Sequence, residues 1–187
     1  MEALLPLVLI FGLLALLALW VVGIYNGLIK LRNAVNEAFS TMDVYLKKRF
    51  DLVPNLVETV KGYASHEAGT LEAVTAARAA IASAGTAEER VAGENMLTGA
   101  LKSLFAVSES YPDLKANTNF LDLQRQLQTL ETDIAQSRKY YNGVVKEMNN
   151  KVEMFPSNIF ANMFGFSKFP FFEVAEVERE NVAVSFV

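Results

Sequence analysis

One histidine, His66, is the only imidazole in the chain that could act as a base, nucleophile partner or metal ligand. In Ala64-Ser65-His66-Glu67 the adjacent carboxylate would point about 100° away on a helix, so the two do not form a dyad. A Ser-His-acid triad would depend on the same residue, and Asp51 and Glu58 have no second histidine to pair with. A di-metal helical bundle needs Glu-x-x-His pairs on facing helices, which one histidine cannot supply. There is no cysteine, which removes disulfides, thiolate zinc sites, iron–sulfur clusters and Cys nucleophiles. The glycines at 62, 69, 85, 93 and 99 are scattered and form no G-x-x-x-x-G-K-[ST] phosphate loop. With 17 Lys+Arg against 21 Asp+Glu and a net charge of −4, the chain is not built as a general nucleic-acid binder. The expectation is a protein that is not an enzyme, with no catalytic, metal-binding or cofactor-binding residues and no cofactor.

The 52% apolar content of the 187 residues is an average over two unlike parts. Residues 1–24 are apolar except for Glu2, Pro6, Gly12 and Gly23, and Ala3 to Ile24 carries no charge. Those 22 residues make a helix of about 33 Å, enough for a hydrocarbon core of about 30 Å. A cleaved signal peptide would want a positive start and small residues near a cleavage site. Here Glu2 stands at the start and Leu19, Trp20, Val21 and Val22 fill that zone, so an uncleaved transmembrane anchor is expected over 1–24. Trp20 and Tyr25 sit at headgroup level, and Lys30 and Arg32 follow the span while no cation precedes it. Positive-inside counting then places residues 25–187 in the cytoplasm and the short amino terminus outside. Gly23 and Gly27 form a G-x-x-x-G that could pack two anchors, or merely loosen the membrane exit.

The rest reads as helices at three-four spacing. Leu28, Leu31, Val35, Ala38, Met42 and Tyr45 form one stripe. A break is expected at 49–54, with Asp51, or Asn55 with Glu58, capping a new helix that has Pro54 in its first turn. The adjacent Lys47, Lys48 and Arg49 read as solvated cations at a helix end. The second helix carries Leu56, Val60, Tyr63, Leu71, Val74, Ala77 and Ile81 and stops at Gly85, before the capping box Thr86-Ala87-Glu88-Glu89. A third helix to about Ser108 turns in Val91, Met96 (or Asn95), Leu101, Leu104 and Phe105. After the corner at Tyr111-Pro112-Asp113, a fourth carries Phe120, Leu123, Leu127, Leu130, Ile134, Ser137, Tyr141, Val144 and Met148. That pattern suits a coiled-coil seam or a bundle face, and three neighbouring helices joined by short turns favour the bundle. The fold expected is all-α: an N-terminal transmembrane helix, then an antiparallel up-and-down four-helix bundle over 25–154.

Two further segments invite function. Tyr111, Pro112, Asp113, Lys115 and Asn117 form a candidate docking loop, against the plainer reading that Pro112 turns the chain and Asn117 or Thr118 caps the next helix. Phe155, Phe160, Phe164, Phe166, Phe169, Phe171 and Phe172 crowd into 18 residues, with Ser157 expected to cap a short helix that Gly165 ends. They could fold back on the bundle, rest in the membrane interface or bind another subunit. Four alternating helices would bring them back to the bilayer, whereas a mere kink at Pro54 would leave three and send them to the far end. Residues 173–187 form an acidic tail with a weakly strand-like ending, which joins the Phe-rich segment as the third part of a division into 1–24, 25–154 and 155–187.

Several motifs agree, in order, with a known family. Tyr25-Asn26-x-Leu28-Ile29-x-Leu31-Arg32-Asn33 and Lys47-x-Arg49-x-Asp51-Leu52-x-Pro54-Asn55-Leu56-Val57-Glu58-Thr59-Val60-Lys61-Gly62-Tyr63 resemble the LemA family. So do Tyr111-Pro112-Asp113-Leu114-Lys115-Ala116-Asn117, Arg138-x-Tyr140-Tyr141-Asn142, Phe155-Pro156-Ser157-Asn158, Phe164-Gly165-Phe166 and Phe171-Phe172-Glu173. The resemblance implies a bacterial single-pass membrane protein with a helical-bundle domain and no established enzymatic activity. One branch of the family takes part in building magnetosome membranes. The expected function is a scaffold that self-associates and organises the membrane or envelope, its partners the lipid bilayer and further copies of itself. The alternative is an adaptor holding a membrane protease or other envelope protein at the bilayer.

Overall fold

The computed structural model describes residues 4–173, and among them there is helix and no strand. The helices are α1 (Leu4–Lys61), α2 (Ala68–Ser83), α3 (Ala87–Ser108), α4 (Pro112–Ala116), α5 (Thr118–Glu153) and α6 (Ser157–Met163). The chain divides into two units, Met1–Thr41 with Ser137–Phe171 and Met42–Gln136 with the residues from Phe172. The acidic tail and its strand-like ending lie outside the described residues, apart from Glu173.

The expected break at 49–54 is absent: α1 runs unbroken through Pro54, and neither Asp51 nor Asn55 starts a helix. A proline inside a helix removes one N–H and leaves the carbonyl four residues earlier without its donor. That carbonyl belongs to Phe50, and Arg78 Nε on α2 donates to it at 3.4 Å. The same guanidinium lies 4.1 Å from the centre of the Phe50 ring. The helix therefore crosses its proline with the orphaned carbonyl supplied by a neighbour. The reversal comes at residues 62–67 instead, where the α1 hydrogen-bond ladder ends. The number of bundle helices remains four, because α2 begins later rather than disappearing.

In the second unit, α1 and α3 run parallel, since Asp43 pairs with Arg90, and Arg49 with Glu94 and Thr98. Arg49 meets Glu131, and Tyr63 meets Asn117, so α5 runs against α1. Ile81 packs beside Gly93, and Glu67 meets Tyr111, so α2 and α3 are antiparallel. The result is an up-and-down four-helix bundle. Its core includes Val53, Leu56, Val60, Val74, Leu97, Leu104, Leu114, Phe120 and Leu127. A methyl at Gly93 would sit 2.9 Å from Ile81 Cγ1 and 3.1 Å from its backbone nitrogen, so this glycine permits the close approach of α2 and α3. The α3 cap is as the sequence suggests: Thr86 Oγ1 accepts from Glu89 N, and the Glu89 carboxylate accepts from Thr86 N. The inward face of α3 is shifted, with Leu97 buried and Met96 exposed, and on α1 Leu46 is buried where Tyr45 was expected.

The cation trio also reads differently in three dimensions. Arg49 is fully buried, held at the centre of the bundle instead of at a solvated helix end. Its Nη1 donates to Thr98 Oγ1 at 2.8 Å and to Glu131 Oε1 at 2.5 Å; its Nη2 donates to Glu94 Oε2 at 2.5 Å. One guanidinium thus ties α1, α3 and α5 in a single register. Burial raises the Glu94 pKa against the opposing pull of Arg49 and Arg90, while Glu131 pushes it the same way as burial. The folded state therefore binds the Glu94 proton more tightly than the unfolded chain does. This carboxyl's contribution to stability is full below the ordinary carboxylate range and is lost as pH rises through the raised value.

Two expectations follow for detergent-solubilised full-length protein, read from thermal melts by circular dichroism. Arg49→Met leaves Glu94 buried without its cation and costs about 3–5 kcal/mol at pH 8, and less as the pH is lowered and protonation neutralises the buried carboxyl. Adding Glu94→Leu restores most of the loss; an Arg49→Met variant within about 0.5 kcal/mol of wild type would show that the triad does not hold the bundle. Arg78→Ala should cost more beside Pro54 than in a Pro54→Ala background, where the Phe50 carbonyl regains its helical donor. The coupling expected from the double-mutant cycle is about 0.5–1.5 kcal/mol, and additivity would refute the proline account.

Candidate functional site

The amino-terminal part of α1 is apolar on every side. Its most apolar 18 residues have a mean hydropathy of 2.9, none of them is buried among the described residues, and the helix is long and apolar enough to cross a membrane. In a bundle helix one stripe is covered by neighbours; here Leu9, Phe11, Leu13, Leu16 and Leu19 are all exposed. The one-sided stripe begins at Leu28 and continues through Val35, Ala38 and Met42. The change from all-round to one-sided apolarity falls at Trp20–Tyr25.

The Phe-rich segment meets α1 at that transition. Trp20 and Phe160 stand edge to face with ring centres 5.7 Å apart, and Tyr25 contacts Phe164 at 5.0 Å and Phe166 at 5.9 Å. The Arg32 guanidinium lies 5.5 Å from the Phe166 ring centre. Phe166 is buried, whereas Phe155, Phe164 and Phe171 are exposed and Phe160 and Phe169 are half-buried. Phe172 is buried as well, in the second unit. The seven phenylalanines thus divide between packing and exposure and do not form one surface.

Polar side chains on α5 fix the path of this segment. Asn149 donates to the Phe169 carbonyl and accepts from the Phe169 N–H, both at 2.9 Å. Tyr141 Oη donates to the Pro170 carbonyl at 2.9 Å, and burial raises the pKa of that phenol. Ser157 does not cap α6 as expected; its hydroxyl lies 2.7 Å from the Lys151 carbonyl and 2.9 Å from that of Met154, binding α6 to the end of α5. Gly165 ends α6 at φ +72, the left-handed conformation that glycine adopts without a Cβ clash, and Phe166 N reaches back to Ala161 O at 2.9 Å.

The remaining candidate residues have local roles or open surroundings. Asn117 Oδ1 accepts from Phe120 N at 3.0 Å and so caps α5, while its amide donates to Tyr63 Oη at 2.8 Å. Tyr111 Oη donates to Glu67 Oε1 at 2.8 Å, and holding that proton pushes the phenol pKa up. Lys115 pairs with Glu109, and Pro112 and Asp113 are exposed at the start of α4. The corner chemistry therefore occupies Tyr111 and Asn117. His66 lies exposed in the 62–67 turn, and the Glu67 carboxylate beside it is engaged by Tyr111. A Cβ on Gly23 or Gly27 would meet nothing within 4 Å. On the second unit an open groove of about 480 Å³ runs between α1 and α5, lined by Lys48, Asp51, Leu52, Gln126, Thr129 and Leu130.

Sequence reasoning missed Arg49 and Glu94 as paired interior groups. The signal was there: Met42, Leu46, Arg49, Val53, Leu56 and Val60 keep one three-four register, as do Glu94, Leu97, Leu101 and Leu104. A charge on an apolar register in each of two helices points to an interior pair, and the supposed break at 49–54 hid half of it.

The LemA family model matches residues 38–186. Protein LemA of Metamycoplasma hominis is 26% identical over 168 residues, covering 88% of this chain and 75% of that protein. The matched region takes in most of the motifs on which the resemblance rested, among them the corner that Tyr111 and Asn117 hold and the Pro54 turn of α1. The chain belongs to the LemA family.

Proposed function

We propose that this protein is a membrane-anchored scaffold that self-associates, working through surfaces and not through a reactive site. The observation that carries the reading is α1 itself: an uncovered apolar segment continues without interruption into the helix that organises the bundle. In this reading residues 1–24 are the anchor, 25–154 the bundle, and 155–187 the aromatic segment and tail. Lys30 and Arg32, just past the span, favour a bundle in the cytoplasm of a bacterial inner membrane and an amino terminus outside. The open face at Gly23 and Gly27 leaves room for a second anchor to approach, and the α1–α5 groove offers the bundle a further contact.

The adaptor reading rests on the corner at 111–117. Tyr111 and Asn117 there hold the chain's own turn and Lys115 pairs with Glu109, which leaves Pro112 and Asp113 to meet a partner. Self-association is therefore ranked first. Light scattering on full-length protein in detergent, over a wide concentration range, should give a protein mass that is a multiple of one chain. A one-chain mass at every concentration would overturn self-association.

A further inference from the structure

The first unit presents a short helix that leaves large apolar side chains uncovered, with Asn162 exposed beside them. On α6 the residues turned inward are Ser157 and Ala161, while Ile159 and Met163 are exposed, together with Met154 and Phe155 just before it and Phe164 at its end. A helix against aqueous solvent would place isoleucine and methionine inward and serine outward. Its inner side is tied down by the Ser157 bonds to α5 and by Phe160 against Trp20, so the apolar side is presented deliberately. The contact with Trp20 sets α6 beside the last turns of the uncovered apolar segment of α1, and its exposed residues continue that surface sideways.

Charge in the same unit differs in sign from that of the whole chain. Residues 25–41 and 137–171 carry seven Lys/Arg against three Glu, a net +4, although the full sequence is −4. Of these cations Arg32 lies against Phe166 and Lys168 follows α6, where it pairs with Glu153. A net positive unit with an exposed apolar patch suits the headgroup layer of an anionic bilayer, where apolar side chains enter the acyl boundary and Lys and Arg stay with the phosphates.

We propose that α6 and its flanking residues form a second membrane contact, a foot that lies in the interface of an anionic bilayer beside the anchor. The proposal rests on the anchor reading above and adds a surface to it. A foot of this kind would restrict how the first unit tilts and turns about its span.

The chain has no cysteine, so single substitutions can be labelled specifically. Full-length Ile159→Cys and, as a second variant, Met163→Cys would carry an environment-sensitive fluorophore in phosphatidylcholine–phosphatidylglycerol vesicles containing lipid with a doxyl quencher on its acyl chain. Leu13→Cys reports the anchor and Ser103→Cys an exposed position on α3. At 159 and 163 the lipid quencher should lower emission at least twofold, as at 13, while 103 responds only to aqueous iodide. Quenching by iodide alone at 159 and 163, with 13 quenched by lipid, would overturn the foot and leave the anchor standing. Protection from both quenchers would overturn it in favour of a second copy covering α6. An unquenched position 13 would overturn the anchor and the foot together. Omitting phosphatidylglycerol should reduce quenching at 159 but not at 13; no change would overturn the anionic surface as the partner.

Discussion

A helix that is apolar on all sides for its first five turns and on one side thereafter cannot be satisfied by a single solvent. Helix α1 is such a helix, and its neighbours are distributed accordingly. Among the described residues no side chain buries the first stretch, and aromatic rings gather where the pattern changes. Continuity through Pro54 matters here, because a break at that point would end the helix before its stripe is complete. The donation from Arg78 supplies the Phe50 carbonyl that Pro54 leaves without its helical donor.

The second constraint is the interior guanidinium. Apolar stripes alone permit helices to slide by a turn, since leucine and valine cores tolerate several registers at similar cost. Arg49 removes that freedom in the second unit, because Glu94 and Glu131 meet it only in one alignment of α1, α3 and α5. A buried ion pair is weak evidence of net stability, and alignment is the role best matched to its position. Glu94 shows the same tension: burial raises its pKa, and Arg49 opposes that rise without cancelling it.

Much of this architecture was legible in the sequence. The apolar start of α1, the Thr86 capping box, the corner at 111–117, the long α5 stripe and the glycine that ends α6 each arise from local chemistry within a few residues. The failures share a different cause. Pro54 sits inside a helix whose orphaned carbonyl is met by a donor 24 residues from the proline, and a charged residue on a core register becomes intelligible only with its partner. Ser157 looked like a cap by type, yet its hydroxyl serves carbonyls of the preceding helix. The Phe-rich segment stood out by composition, but Phe166 packs and Phe155 does not, and that division depends on which rings reach Trp20 and Tyr25.

The central claim is that the apolar start of α1 spans a bilayer and remains part of the same chain as the bundle. Washing membranes that contain the full-length protein with alkaline carbonate, and weighing the retained chain by intact mass spectrometry, tests it most directly. The account predicts a chain that stays with the membrane and keeps its first 24 residues. Release into the wash, or a retained chain cleaved after the apolar segment, would contradict it.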